Sequence, residues 1–323
     1  MHTVDRDARG TGDTPLASAQ YAVHAVHAAT PAGTPTHESD HLQASEQFQR
    51  LTRLFETGPA AILTGAGIST DSGIPDYRGT GSPPRTPMNI EQFTNDVRYR
   101  SRFWAGARIG ALRIANVRAN AGHEAVAALE QSGHLTGVIT QNVDGLHGAA
   151  GAQNVAELHG SGSTMRCIAE EHRFTRAETL AWFDAANPGF VERHADAPTN
   201  PDGDADVTGT DSVRVPVCPA CGGTLRPDVV YFGEHVPKPV FAHAEQIVAD
   251  AHLLIVAGSS LAVNTGIRLV HRAEARNLPL VVINQGPTAV DRRPSLHTRI
   301  EGGTSETLSA LAAALSGSQQ TIG

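Results

Sequence analysis

The chain has 323 residues, 40% hydrophobic and 18% charged, which is enough to bury one large core or one large and one small core. Its net charge of −8 argues against general nucleic-acid binding, which needs a basic surface. No stretch approaches the ~20 apolar residues of a membrane span, and three cysteines without a secretory signal favour a reducing, cytoplasmic location.

The N-terminal residues 1–45 are rich in Ala, Thr, His, Gly and Pro without sustained periodicity, so we interpret them as a disordered tail. Order is predicted to begin near residue 46, where Phe48, Leu51 and Leu54 recur at helical spacing.

Short apolar runs alternate with helical stretches through the rest of the chain. Buried strands joined by helices predict a parallel sheet covered on both faces, an α/β fold of the doubly wound, Rossmann-like kind. The predicted strands are 60–64, 135–140, 253–258 and 278–284, and the predicted helices lie around 121–132, 265–276 and 304–315.

Two insertions interrupt this alternation and predict a smaller, helical and metal-binding module. Residues 80–118 contain Pro and Arg before they turn helical, and residues 161–224 hold all three cysteines with an Asp-, Gly- and Pro-rich stretch. The Rossmann-like part is predicted at about 46–79, 119–160 and 225–318.

The first predicted strand runs into a glycine turn, Gly65-Ala66-Gly67-Ile68-Ser69, whose backbone N–H groups could receive a pyrophosphate. The fingerprint of a dehydrogenase is incomplete, because Thr70 stands at the third glycine position and no strand-ending acid follows at the expected distance. The turn continues into a constrained polar loop with Asp76, Tyr77 and Arg78. The turn and the loop together favour a nucleotide site, with an ordinary βα turn as the alternative, and the fingerprint does not favour a dehydrogenase.

Polar residues also follow the strand predicted at 135–140. Gln141, Asn142 and Asp144 stand at its carboxyl end, the edge where open α/β sheets bind ligands. Such groups are costly to bury without partners, and a carboxamide such as nicotinamide would supply donors and acceptors. The segment predicts a nicotinamide site, with a polar turn that caps the strand as the alternative.

Three histidines compete for the role of general base, since an imidazole titrates near neutral pH. His159 lies in a loop beside the predicted ligand edge, and His123 and His147 lie in neighbouring segments. The residue types alone leave the choice among the three open.

These motifs together resemble the sirtuins, a family of NAD-dependent protein deacylases, and look most like its class II branch. They occur in the family's order over roughly residues 46–315, and the set is far more specific than any single motif. The matching stretches are GAGISTDSGIPDYRG (65–79), TQNVDGLH (140–147), ELHGS (157–161), CPACGGTLRPDVVYFGE (218–234), AGSSLAVN (257–264) and VINQGPT (282–288).

The resemblance implies a catalytic domain over residues 46–323 and a role for each matched residue. His159 is then the catalytic base, and Asn142 and Asp144 hold the nicotinamide end of NAD with Gln141 beside them. The other cofactor positions are Gly65, Ala66, Gly67, Ser69, Asp76, Tyr77, Arg78, Gly258, Ser259, Ser260, Asn284 and Gln285, and the acyl-lysine peptide would lie along Val229, Tyr231, Phe232 and Gly233.

The implied reaction consumes NAD as a co-substrate and acts on acyl-lysine proteins. The acyl oxygen attacks the ribose carbon that bears nicotinamide, His159 activates a ribose hydroxyl, and lysine, nicotinamide and O-acyl-ADP-ribose result. The family is often monomeric, so we expect a monomer, and the composition argues against direct binding to nucleic acid or membrane. A mono-ADP-ribosyltransferase or a non-catalytic NAD sensor would share part of the site, but the complete residue set favours deacylation.

The family holds one structural zinc with two C-x-x-C pairs, and here only Cys218 and Cys221 form an intact pair. Cys167 begins the other pair, and Glu170 occupies the position of its second cysteine. Zinc accepts carboxylate as well as thiolate, so the resemblance implies a zinc site with Glu170 as the fourth ligand. The alternatives are Glu171 or His172 as that ligand, or loss of the metal.

Sirtuins that remove short acidic acyl groups carry a Tyr-x-x-Arg pair in the helix after the NAD loop. Aligned on Trp104, these positions are Ala107 and Gly110, while Arg108 and Arg113 are out of register. We therefore expect a small or aliphatic acyl group rather than succinyl or malonyl.

Overall fold

The computed structural model describes residues 37–76, 87–198 and 204–319, which contain nine strands and eleven α-helices. The strands are β1 Ala60–Thr64, β2 Leu135–Thr140, β3 Val155–Glu157, β4 Gly160–Cys167, β5 Arg173–Thr175, β6 Leu225–Val229, β7 Leu253–Ala257, β8 Leu280–Ile283 and β9 Leu296–Ile300. The helices are α1 His37–Ala44, α2 Glu46–Leu54, α3 Ile90–Asn95, α4 Val97–Ile114, α5 Ala121–Gln131, α6 Leu146–Ala149, α7 Arg176–Ala186, α8 Phe190–His194, α9 Lys238–Ala249, α10 Asn264–Ala275 and α11 Thr304–Gln319.

Six strands form one parallel sheet in the order β3-β2-β1-β7-β8-β9. The chain builds outward from β1 through β2 to β3, and then returns across β1 to add β7, β8 and β9 on the other side. The order therefore switches between β1 and β7, where a doubly wound sheet opens a crevice at the carboxyl ends of its strands. The predicted Rossmann-like sheet is confirmed, and all four predicted strands belong to it.

Helices cover both faces of this sheet, as its apolar strands require. Strands β1 and β7 are buried at every position. Phe48, Leu129 and Leu311 of α2, α5 and α11 pack on one face, and Phe241 and Leu269 of α9 and α10 pack on the other. Within the described ranges, no helix is both long and apolar enough to cross a membrane.

Helix α1 falls in the segment that sequence analysis assigned to a disordered tail, of which residues 1–36 lie outside the described part. Leu42 of α1 packs against the core that α2 helps to form. Ser45 links the two helices, because its hydroxyl caps α2 by accepting the Phe48 N–H at 3.2 Å. Among the described residues, helical structure thus starts before the predicted residue 46.

The remaining three strands form a separate antiparallel sheet in the order β5-β4-β6. Helices α4, α7 and α8 pack on it around a core that includes Trp104 and Phe183. This smaller module uses both predicted insertions, but it also takes β6, which sequence analysis placed in the large part from residue 225 onward. Strand β6 belongs to this module because it pairs with β4, where Cys167 lies opposite Leu225.

We expect the crevice between β1 and β7 to tolerate only glycine at position 258. A Cβ on Gly258 would lie 2.5 Å from the Ile68 N atom, and the φ of +62° is itself strained for other residues. Gly258→Ala should therefore lower the free energy of unfolding by about 3 kcal/mol in urea denaturation.

Gly133→Ala provides the matched control, because Gly133 has a φ of +78° and a Cβ added there would meet no atom within 4 Å. Its cost should be that of the left-handed backbone alone, about 1 kcal/mol. Equal losses for the two variants would contradict the close contact.

Candidate active site

Four of the segments predicted to bind NAD lie at the carboxyl ends of neighbouring strands. Gly65 follows β1, Gln141 follows β2, Gly258 follows β7 and Asn284 follows β8. In an open α/β sheet this edge, beside the point where the strand order switches, is where ligands bind. The fold thus brings these distant segments of the sequence to one ligand edge, the name used below for these four strand ends.

The glycine turn after β1 packs directly on the end of β7. The Gly67 N–H donates to the Gly258 carbonyl at 2.8 Å, and a Cβ on Gly67 would come within 2.8 Å of the Gly258 Cα. Residues Ala66–Ser72 continue the turn as a 3₁₀-helix. The predicted cofactor residues Tyr77 and Arg78 lie outside the described residues, which stop on this side at Asp76.

Ser69 is hydrogen-bonded to both Asn142 and Asp144 across two strand ends. Ser69 Oγ donates to Asp144 Oδ2 at 2.7 Å, and Asn142 Nδ2 donates at 3.1 Å both to Ser69 Oγ and to the Gly65 carbonyl. Asp144 Oδ1 accepts the Leu146 N–H at 3.0 Å. Each carboxylate oxygen of Asp144 therefore has a donor, which orients the side chain at the ligand edge.

Gln141 connects the end of β2 to the end of β7. Ser259 Oγ donates to Gln141 Oε1 at 2.7 Å. Farther along the edge, Asn284 Nδ2 donates to the carbonyls of Gln285 and Gly286, both at 2.9 Å. The Ser260 carbonyl, in the loop after β7, accepts the Ala289 N–H at 3.0 Å. Asn284 is thus held in a local turn, and the loop after β7 is bonded to the loop after β8.

His159 stands between β3 and β4 with both ring nitrogens engaged. Nδ1 lies 2.9 Å from the Gln141 carbonyl oxygen, which can only accept, so Nδ1 carries the proton of the neutral ring. Nε2 is then the basic nitrogen, and the Thr265 hydroxyl donates to it at 3.0 Å. Burial lowers the pKa of His159, and the hydrogen bond to Gln141 acts in the opposite direction. The ring is therefore a neutral base near pH 7.

The two competing histidines lie in the interior. His123 is fully buried and His147 is 2% exposed. Burial lowers the pKa of both side chains, that of His147 to about 3 with a further contribution from His123. A substrate at the ligand edge would not reach either ring, so the geometry favours His159 as the base.

The predicted peptide segment starts at the last residue of β6 and turns sharply, with Gly233 at φ +92°. The buried Arg226 donates two hydrogen bonds of 2.6 Å to the Glu234 carboxylate, which also accepts the Tyr231 N–H at 2.9 Å. This ion pair fixes the turn and leaves Phe232 54% exposed. Sequence reasoning singled out neither Arg226 nor Glu234, since an Arg and a Glu in a polar segment carry no signal of their pairing.

The three cysteines come together with a histidine in the smaller module. Ligand atoms of Cys167, His172, Cys218 and Cys221 all lie within 4.8 Å of one another. Cys167 Sγ is 3.5 Å from Cys221 Sγ, and Cys218 Sγ is 3.4 Å from His172 Nδ1. Three thiols and one imidazole at these separations fit a tetrahedral structural zinc, which could be held here.

The fourth side chain of this cluster is His172, whereas spacing favoured Glu170. The Cys167 N–H donates to the His172 carbonyl at 2.9 Å, so the intervening residues form a turn that brings His172 back to the thiol. Burial acts to raise the pKa of the Cys167 thiol, but hydrogen bonds from the backbone N–H groups of Glu170 and Ala169 help to bring it below its ordinary value. The main-chain N–H of Glu170 therefore points to the Cys167 sulfur, whereas the Glu170 side chain is exposed.

The positions aligned with the Tyr-x-x-Arg pair lie inside the smaller module. Ala107 and Gly110 are both buried on α4. Arg108, one residue out of register, donates to Asp184 Oδ1 of α7 at 2.6 Å. This part of α4 therefore packs inside the smaller module, and Arg108 is paired with a carboxylate there.

The chain is similar to known proteins over most of its length. A family model described as "Sir2 family" matches residues 65–265. The chain is 48% identical over 259 residues to NAD-dependent protein deacetylase 1 of Mycobacterium avium, with 79% of this chain and 91% of that protein covered. It is 46% identical over 242 residues to NAD-dependent protein deacetylase 1 of Streptomyces coelicolor, with 74% and 80% covered.

A solved structure described as "Sir2-p53 peptide-NAD+" aligns with a TM-score of 0.65 and 28% identity, covering 85% of this chain and 99% of that chain. Another, described as "Structure of Sir2Tm bound to a propionylated peptide", aligns with a TM-score of 0.65 and 27% identity, again covering 85% and 99%.

We expect His172→Ala to weaken zinc binding by at least about 100-fold, because it removes a ligand rather than an outer hydrogen-bond partner. Glu170→Ala should leave the affinity unchanged, and His172→Cys should keep the metal by completing a set of four thiolates. Zinc content after dialysis against a chelator measures all three variants. Loss of zinc from Glu170→Ala with retention in His172→Ala would make Glu170 the ligand.

Thr265→Val should raise the pKa of His159, because the hydroxyl donates only to the neutral ring and its removal takes away that stabilisation. Thr265→Ser keeps the hydroxyl and should leave the pKa near that of the unmodified protein. NMR titration of the His159 ring measures the three values. An unchanged or lower pKa in Thr265→Val would show that the 3.0 Å contact is not a hydrogen bond to Nε2.

Proposed function

Because this chain belongs to the Sir2 family and is an NAD-dependent protein deacylase, we propose that His159 is its catalytic base and that Asn142 and Asp144 hold the nicotinamide end of NAD. The fixed ring of His159 carries this proposal, since its Nδ1–H is bound to the Gln141 carbonyl at 2.9 Å. Nε2 is therefore left without a proton beside the ligand edge, where it can accept one from a ribose hydroxyl.

The ligand edge offers suitable groups for both ends of NAD, which supplies the ribose and the nicotinamide leaving group when it is bound. The glycine turn borders the crevice proposed for the pyrophosphate. The N–H groups of Gly65, Gly67 and Ile68 donate to carbonyls of the protein, so these three are not the donors that sequence analysis expected for a pyrophosphate. Asp144 and Asn142 would orient the carboxamide, while Ser259 and Asn284 lie on the side proposed for the ribose and adenine. Tyr77 and Arg78 remain predictions for the same cofactor.

Acyl-lysine proteins are the proposed second substrate, and the exposed turn at Phe232 is the proposed docking segment. A solved neighbour is described as a complex of Sir2 with a p53 peptide and NAD+. The buried Ala107 and Gly110 support a small or aliphatic acyl group, because neither offers the Tyr or Arg that an acidic acyl group would meet. The class II assignment and a monomeric state belong to the same proposal.

A structural role is proposed for the zinc that the Cys167, His172, Cys218 and Cys221 cluster could hold. The cluster ties β4 to the loop before β6, and β6 leads directly into the proposed peptide segment. The metal would thus support substrate binding without touching the reacting atoms. A cytoplasmic location is proposed as well, in agreement with three cysteines that are not joined by a disulfide.

The test is a mass-spectrometric assay with NAD and peptides that carry acetyl, propionyl, butyryl, succinyl or long-chain acyl lysine. We expect deacylation of the small and aliphatic peptides with formation of O-acyl-ADP-ribose, and a loss of at least about 100-fold in kcat for His159→Ala, which lacks the base. Activity should fall in acid as His159 becomes protonated, at a pH below the ordinary imidazole range because burial lowers this pKa.

His123→Ala is an unsuitable control for this assay because that ring is buried, whereas the exposed His243→Ala should retain full activity. Release of nicotinamide with ADP-ribose on protein and no deacylation would contradict the proposed use of His159. A preference for succinyl lysine would overturn the acyl-group proposal alone.

A further inference from the structure

Two buried histidines lie directly behind the ligand edge and take no part in the chemistry proposed above. The rings of His123 and His147 stack edge to face with centroids 4.9 Å apart. His147 Nδ1 has no hydrogen-bond partner among the described residues. An imidazole with an unpartnered buried nitrogen is costly, and an apolar ring of similar size would avoid that cost. A histidine is useful here because the Nε2 atom of each ring contacts a hydroxyl group.

His147 begins a chain of hydrogen bonds that ends at the backbone of Asn142. Its Nε2 lies 2.9 Å from Thr64 Oγ1, which donates its own proton to Thr140 Oγ1 at 2.9 Å. Since the Thr64 proton is used, Nε2 must carry the proton of the His147 ring and donate to Thr64. Thr140 Oγ1 in turn accepts the Asn142 N–H at 3.1 Å.

His123 begins a second chain that reaches the side chains of Asn142 and Asp144. Its Nε2 lies 3.4 Å from Ser69 Oγ, whose proton goes to the Asp144 carboxylate. His123 Nδ1 accepts the Asn120 N–H at 3.3 Å and also lies 3.0 Å from Asn120 Oδ1. Because Nδ1 acts as an acceptor for that N–H, the ring proton is assigned to Nε2, and His123 donates to Ser69, which also accepts from Asn142 Nδ2. The single proton and the acceptor capacity of Ser69 are then fully used, so its position is fixed from three directions.

We propose that His123 and His147 are positioning residues that fix Asn142 from its two ends and hold Asp144 through Ser69. The His147 chain holds the Asn142 main chain, and the His123 chain holds its side chain together with the Asp144 carboxylate. The inference rests on the proposed function, because these are the residues assigned to the nicotinamide end of NAD. Both rings act through their Nε2–H groups and neither contacts the substrate.

The length of the side chain makes this role testable at His147. In His147→Gln the amide nitrogen Nε2 stands about where the ring Nε2 stood, so the donor to Thr64 is kept. His147→Phe keeps the ring volume without a donor, and His147→Asn carries a donor that is too short to reach Thr64. A role as a space-filling core residue predicts the opposite order, with Phe the best tolerated.

The experiment measures the exchange of labelled nicotinamide into NAD with an acetyl-lysine peptide, which reports the first bond cleavage, and the Kd of the peptide as a binding control. His147→Phe and His147→Asn should lower kcat for exchange roughly 10- to 100-fold, as expected when reacting groups are displaced slightly. The peptide Kd should stay within about 2-fold, and His147→Gln should recover most of the exchange rate. The variants His123→Phe and His123→Gln test the second hydrogen-bond chain in the same way.

The results separate this inference from the proposed function. Exchange that is normal in His147→Phe, or equally reduced in His147→Phe and His147→Gln, would overturn the positioning role while the unmodified enzyme still deacylates. An unmodified protein without exchange or deacylation would instead refute the proposed function. If His147→Phe does not fold, Thr64→Val and Thr64→Ser test the same chain, and only the valine variant should lose exchange.

Discussion

The backbone contact between Gly67 and Gly258 is the constraint on which the ligand edge depends. Neither residue has a side chain, so the turn after β1 and the end of β7 approach until the Gly67 N–H binds the Gly258 carbonyl at 2.8 Å. This approach occurs where the strand order switches, and it sets the distance between the polar groups that follow each strand. Ser259 can therefore reach Gln141, and Ser69 lies opposite Asp144.

The sheet and its ligand edge were predictable from the sequence because local residue patterns encode both. Strands that are buried on two faces leave unbroken apolar runs, as at β1 and β7, and polar residues directly after such runs mark the carboxyl edge. Gln141, Asn142 and Asp144 directly follow such a run, so the sequence alone predicts them at the ligand edge. The resemblance to sirtuins then distinguished His159 from two histidines that residue types could not separate.

The partners of those residues were not predictable, because they arise from contacts between distant segments. Thr265 reaches His159 only after α10 has packed beside β7, and Arg226 meets Glu234 only when the chain turns after β6. His172 replaces Glu170 in the cysteine cluster because a turn closes between residues 167 and 172, which spacing alone does not reveal. Strand β9, at the sheet margin, has an exposed His297 and a half-buried Arg299, so it lacks the unbroken apolar run that marks the inner strands.

His159, the proposed catalytic base, lies where the chain crosses between the two parts of the molecule. The chain passes from β3 of the large sheet to β4 of the small sheet within two residues, and Gly160, at φ +80°, allows the sharp bend. The Leu158 N–H is bound to the large sheet at Thr140, while the His159 carbonyl accepts the Val230 N–H of the peptide segment. Because the main chain on either side of His159 is hydrogen-bonded to both sheets, the two parts of the molecule jointly set the position of the proposed proton acceptor.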